Sequence, residues 1–291
     1  MTPGLNTVLR MTQAGGRTRR VFPLFTRPRS NYVSLVHPIA FNLGPLTVHW
    51  FGICIALAFL AGMLTASRRA PLAGVSAESI TDLIVPWLLL GGILGARVMF
   101  VTTYWREEFA GKPITEIFMI QRGGLVFYGG LLGASLTVIL FARIKKLPLW
   151  NLADILAPSI ALGSVFGRIG CLLNGCCYGR ACELPWAIPR LLGETDQPLV
   201  HPTQIYDALL NLSLYLGLAW FFRRRKFDGQ VFAIFLVCYA ITRSTVELFR
   251  GDYSQAHLHG GLTPAHVLSF GIFLVGVSGY VILSRREKRA I

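Results

Sequence analysis

Apolar residues along this chain collect into seven runs, at 46–66, 80–104, 123–142, 152–173, 204–222, 229–249 and 262–283, parted by shorter stretches rich in Gly, Pro and basic residues. A helix needs about 20 mostly apolar residues to cross the hydrocarbon core of a bilayer, so each run predicts one transmembrane helix. The pattern gives an all-α polytopic membrane protein with one seven-helix domain over 37–291. Residues 1–36 hold Gly, Thr and Arg without an apolar run of signal-peptide length, and are expected to form a basic, disordered tail.

Composition agrees, since 53% apolar and 14% charged residues with a mean hydropathy of +0.55 exclude a soluble domain. A net charge of +14 raises the question of nucleic acid. Thirteen of the 28 basic residues, however, lie in connections on one side: Arg68 and Arg69, Arg143, Lys145 and Lys146, Arg223 to Lys226, and Arg285, Arg286, Lys288 and Arg289. That bias explains the charge without nucleic acid. It makes this side cytoplasmic, with the N-terminus outside and the C-terminus inside. Of the six tail arginines, only Arg27 and Arg29 lie close enough to a span to count against this orientation.

Three arginines fall inside apolar runs. Spans two, four and six run in the same direction, and Arg97, Arg168 and Arg243 lie seven, five and six residues before the ends of those runs. At ~1.5 Å per residue the three share a layer about 8 to 10 Å below the outer boundary. A charge there is costly unless it faces protein, water or an anion. Each could cap a neighbouring helix, but three in one layer favour an anion site, because guanidinium donors match phosphate oxygens. The anion available at that depth is a phospholipid head group. Glu247 stands four residues after Arg243 and can pair with it on one helix face. Tyr128 and His201 fall at the same level.

Glycines crowd the same layer. Gly91, Gly92 and Gly95 precede Arg97, and Gly129, Gly130 and Gly133 follow Tyr128, at spacings that suit either close helix packing or approach to a ligand. Cys171, Cys176, Cys177 and Cys182 cluster within twelve residues. Packing thiols, one structural disulfide, and metal or redox chemistry all remain open for them. The C-x4-C-C-x4-C spacing lacks the C-x2-C pairs of structural zinc, so no metal is expected. Cys54 and Cys238 are core residues. The connections at 105–122, with an amphipathic surface element expected at 107–120, and at 174–203 are long enough to carry function.

Several blocks then resemble one family in order along the chain: HPIAFNLGPLTVHWFG, GGILGARVMF, RGGLVFYGGLLGA, GRIGCLLNGCCYGR, HPTQIYD and YAITRSTVELFR. They are similar to prolipoprotein diacylglyceryl transferases of the bacterial inner membrane. The resemblance implies transfer of diacylglyceryl from phosphatidylglycerol to the lipobox cysteine of preprolipoproteins, forming a thioether and releasing glycerol phosphate, without a cofactor. Its partners would be phosphatidylglycerol, signal peptides and the bilayer, with the site toward the outer leaflet. The family's functional positions fall on Arg168, Asn174, Gly179, Arg243 and Glu247.

On that basis Arg168 and Arg243 are expected to hold the phosphate, Glu247 to orient Arg243, and Tyr128 and His201 to serve the reaction. Arg97, Asn174, Gly179, Gly129, Gly130 and Cys176 are expected around the lipid. The chain departs from the family where Tyr128 replaces a histidine and Cys171 and Cys176 replace Asn and Glu, and a tyrosine often found after Trp50 is absent. A tyrosine of ordinary pKa is a poor base for a thiol at neutral pH, so the general base stays unassigned. A lipid-binding or transport protein, an inactive paralogue and a membrane thiol oxidoreductase are the alternatives.

Overall fold

A computed structural model of the chain describes residues 38–44, 46–120, 123–189, 198–251 and 262–290. The tail expected at 1–36 lies outside the described residues. The spans are α1 (Trp50–Arg69), α2 (Ala77–Asp82) joined to α3 (Leu89–Thr103), α4 (Phe127–Ile144), α5 (Leu149–Leu173), α6 (Thr203–Phe221), α7 (Gln230–Glu247) and α8 (Pro264–Ala290). Among the described residues these make seven helices long and apolar enough to cross a membrane, one in each predicted run.

The structure corrects three local expectations. Leu46–His49 is not helical; it forms β2, antiparallel to β1 (Ile39–Leu43), and α1 starts only at Trp50, whose N–H donates to the Pro38 carbonyl at 3.0 Å. The second span changes pitch at Leu83–Leu88, a π-helical segment containing Pro86. Proline has no N–H and crowds the carbonyl four residues back, which disrupts regular α-helical bonding. At 107–120, where an amphipathic surface element was expected, the chain makes two short turns, a π turn at Trp105–Phe109 and a 3-10 turn at Ile114–Phe118.

Burial divides along the helix axes. The apolar core lies at the end where Lys and Arg collect, with Ala66, Ile80, Leu83, Phe141, Leu152, Ile155, Leu218 and Val231 in one cluster. Toward the opposite end the buried residues include Arg97, Thr203, Gln204, Asp207, Asn211, Glu247 and Thr263. Apolar side chains therefore close one end of the bundle while polar ones line the other.

Buried charges fix the register at the core end. Asp154 on α5 is fully buried, and its carboxylate accepts from the Gly229 N–H at 2.9 Å and the Phe232 N–H at 2.8 Å. It caps the start of α7, where the helix offers N–H groups that have no intrahelical acceptor. Arg225 adds a contact at 3.7 Å. Arg69, counted above among the loop charges, is instead buried and donates to Ser159 Oγ at 3.0 Å, with the Tyr215 ring 5.5 Å away. These contacts tie α1, α5, α6 and α7 together.

Helices α3 and α4 make a separate tight pair. A Cβ added at Gly95 would stand 2.8 Å from Gly133 Cα, and one at Gly129 would stand 3.1 Å from Ala96 Cα and closer still to the Gly95 carbonyl. Only glycine permits that backbone approach.

Asp154→Ala is expected to lower stability by about 3–5 kcal/mol, the range for removing one partner of a buried charged contact. Thermal unfolding of detergent-solubilised protein measures this, and an unchanged midpoint would refute the capping role.

Candidate active site

Tyr239, on α7 one turn before Arg243, packs against the apolar core. Its hydroxyl lies within electrostatic reach of Arg168 on α5, Asp207 on α6, Arg243 on α7 and Tyr128 on α4. Periodicity in the sequence marks Tyr239 only as an aromatic in an apolar run.

Arg168 pairs through Nε with Asp207 Oδ2 at 2.8 Å. Asp207 is 2% exposed and its other oxygen accepts from Asn211 Nδ2 at 2.6 Å. The pair thus uses the inner edge of the guanidinium, and no hydrogen bond engages its terminal nitrogens among the described residues. Planar N–H donors remain for an anion.

Arg243 takes the partner expected for it. Its Nη1 lies 2.6 Å from Glu247 Oε2, with Arg250 at 3.8 Å from the same oxygen. Thr263 donates to Glu247 Oε1 at 2.7 Å and lies 3.0 Å from His266 Nδ1. Glu247, 1% exposed, is thereby fixed from α7 and from the start of α8, and holds Arg243 in turn.

Arg97, expected around the lipid, bonds to backbone carbonyls. Nε donates to the Ile117 carbonyl at 2.6 Å, Nη1 to Gly123 and Gly124 at 2.9 and 3.0 Å, and Nη2 to Glu116 at 2.7 Å. Four of its five N–H groups are spent on the connection between α3 and α4. Phe100 and Phe109 flank the guanidinium, each 5.5 Å away. Gly129 and Gly130, also expected at the lipid, face the α3 backbone.

His201 sits in an aromatic group rather than beside the arginines. Its Nδ1 is 3.3 Å from the Tyr206 hydroxyl, which accepts from Trp186 Nε1 at 2.7 Å, and its ring meets Phe249 at 5.3 Å. Its backbone bonds to Gly179 and Arg180. Gly179 in turn is hemmed in by His201 and the Phe249 carbonyl, where any Cβ would collide. The stretch from Gly179 to Cys182 bonds to residues 199–201 on one side and 249–251 on the other, knitting the ends of α5, α6 and α7 into one cap. Both residues shape the site's rim. Tyr128, near the start of α4, is 51% exposed, and its ring meets that of Phe127.

The cysteines converge more closely than their spacing indicates. The sulfurs of Cys171, Cys176 and Cys177 all lie within 4.8 Å of one another, and all three are free thiols. Asn174, at the end of α5, is exposed. Hydrogen bonds from Cys171 and Cys177 push the Cys176 thiol below its ordinary pKa.

Residues 38–282 match the family model described as prolipoprotein diacylglyceryl transferase. The chain belongs to that family. It is 36% identical to the phosphatidylglycerol–prolipoprotein diacylglyceryl transferase of Synechococcus elongatus over 255 residues, which cover 84% of this chain and 86% of the relative. Identity is 37% with the namesake from Rhizobium meliloti (83% and 90% covered) and 36% with that of Bordetella avium (87% and 96%). The family match covers the first six spans entire and the seventh as far as residue 282, with Arg168, Asp207, Arg243 and Glu247 inside it.

Arg97→Lys keeps the charge but loses the fork that reaches four carbonyls. It is expected to expose the connection 105–120 to protease while leaving the bulk fold intact. Limited proteolysis against the unsubstituted protein reads this out, and equal cleavage rates would contradict it.

Proposed function

We propose that this protein is a phosphatidylglycerol–prolipoprotein diacylglyceryl transferase. Family membership supplies the reaction class, and the observation that carries the assignment to residues is the pair of intramembrane arginines held by buried carboxylates, Arg168 by Asp207 and Arg243 by Glu247.

The phosphate of phosphatidylglycerol binds between the terminal nitrogens of Arg168 and the Arg243 guanidinium. Asp207 and Glu247 keep the two forks in place. An apolar cavity of about 620 Å³ between α7 and α8, lined in part by Ile241, Leu248, Val267 and Phe270, runs beside His266 and suits an acyl chain. The acceptor is the lipobox cysteine of a preprolipoprotein signal peptide. Its thiolate attacks the diacylglyceryl carbon, the S–C bond forms as the C–O bond to phosphate breaks, and glycerol phosphate leaves with the electron pair. Negative charge grows on the departing phosphate, so donors fixed beforehand stabilise the transition state more than the bound lipid. Tyr128 and Tyr239 offer hydroxyls to the lipid glycerol or the acceptor within the same cleft.

Orientation follows from charge. Arg68, Arg143, Lys145, Lys146 and Arg223 to Lys226 collect at the core end, a bias that supports a cytoplasmic position for that end and an outer-leaflet position for the polar end in a bacterial inner membrane. Anionic lipid then enters laterally, and a translocated signal peptide presents its cysteine from outside.

Transfer of labelled diacylglyceryl from phosphatidylglycerol to a lipobox peptide by purified protein tests the assignment. Arg168→Ala and Arg243→Ala are each expected to lower turnover by roughly 10²–10³-fold, the effect of deleting one preorganised charge-stabilising donor. Asp207→Asn keeps the shape and lowers turnover less than Arg168→Ala. Folded protein that binds the lipid and yields no thioether would overturn the reading.

A further inference from the structure

The three converging thiols have no part in the reaction as derived. Their geometry is held from several directions. Cys171 ends the last full turn of α5, and the Cys176 N–H donates back to its carbonyl at 3.1 Å. Gly175 and Cys177 both take positive φ, at 72° and 64°, so the chain turns sharply on either side of Cys176. A non-glycine residue there is uncommon and costs free energy, which the surrounding contacts must offset. They come from the start of α6, where Thr203 Oγ1 donates to the Cys177 carbonyl at 2.7 Å and Gln204 Nε2 to the Cys176 carbonyl at 2.6 Å. Both α6 residues are buried.

The strained turn sets two adjacent sulfurs 3.7 Å apart, with the third within 4.8 Å of each. Zinc–thiolate bonds of about 2.3 Å in tetrahedral geometry place sulfurs about 3.8 Å from one another. Charge also fits: three thiolates and a divalent ion sum to minus one, and Arg168 lies within electrostatic reach of Cys171 and Cys177. Three protein ligands on a tetrahedral ion leave a fourth position.

We propose that Cys171, Cys176 and Cys177 form a trithiolate zinc site whose open position takes the lipobox cysteine. This extension rests on the transferase reading above. Coordination deprotonates a thiol outright. The acceptor's proton passes to solvent as the sulfur binds, and the metal-held thiolate attacks the diacylglyceryl carbon beside the phosphate that Arg168 grips. No side chain then has to act as general base, the role left vacant where Tyr128 replaces histidine.

The test titrates cobalt(II), as a spectroscopic stand-in for zinc, into the full-length protein purified in detergent under reducing conditions. One equivalent is expected to bind with the sulfur-to-cobalt charge-transfer absorption of three thiolates, and zinc displaces it. Cys176→Ser and Cys177→Ser lose the band. Cys182→Ser, outside the trio, keeps it, and thermal unfolding confirms that each variant is folded. A lipobox peptide with cysteine adds the absorption of a fourth thiolate, whereas the serine peptide does not. Absence of a charge-transfer band in wild-type protein, or recovery of the trio as a disulfide from the purified protein before any reductant is added, overturns the site. Transfer at an undiminished rate after chelator strips the metal overturns the acceptor's place on it. If no transfer occurs even with metal and phosphatidylglycerol present, the transferase reading fails, and the cobalt spectra still decide the site by themselves.

Discussion

A charge inside a bilayer must bring its own solvation, and this fold is organised by how each buried charge finds it. Arg97 is solvated by backbone carbonyls, Arg168 by an aspartate on another helix, Arg243 by a glutamate one turn along its own. Asp154 is satisfied by the opening N–H groups of α7. All of these but the Arg243–Glu247 pair, which lies within α7, join elements that lipid alone would not hold together, because apolar helix faces gain little by leaving apolar tails. The polar contacts therefore determine which helices meet and at what height.

One end of the bundle is closed by Phe141, Leu152, Ile155 and their neighbours, while the other buries hydroxyls, carboxylates and guanidinium groups. Asp154 and Arg243 illustrate the coupling: the same α7 that is capped at its start by α5 carries, near its end, the guanidinium that must line up with Arg168 on that same α5.

Hydropathy made the seven spans legible in the sequence, and four-residue spacing made the Arg243–Glu247 pair legible, since both are properties of a single helix. What escaped detection depends on contacts between helices or on backbone shape. Asp207 pairs with a residue 39 positions earlier, and nothing in its own helix marks that partner. Arg97 bonds to carbonyls, which every residue possesses, so its loop-holding role leaves no compositional trace. The sulfurs of Cys171, Cys176 and Cys177 meet only because Cys177 adopts a left-handed conformation that its residue type does not predict. Leu46–His49 reads as helix by hydropathy and forms a strand because a hairpin partner precedes it.

The glycine-to-glycine contact between α3 and α4 also has a mechanical meaning. Backbones that touch so closely cannot slide without collision, so the two helices behave as a single plate. Leu83 and Phe141 join that plate to the apolar core, beside the π-helical segment that carries Pro86. Anything that displaces one helix must carry the other with it, so Tyr128 near the start of α4 and Arg97 on α3 keep their relative height.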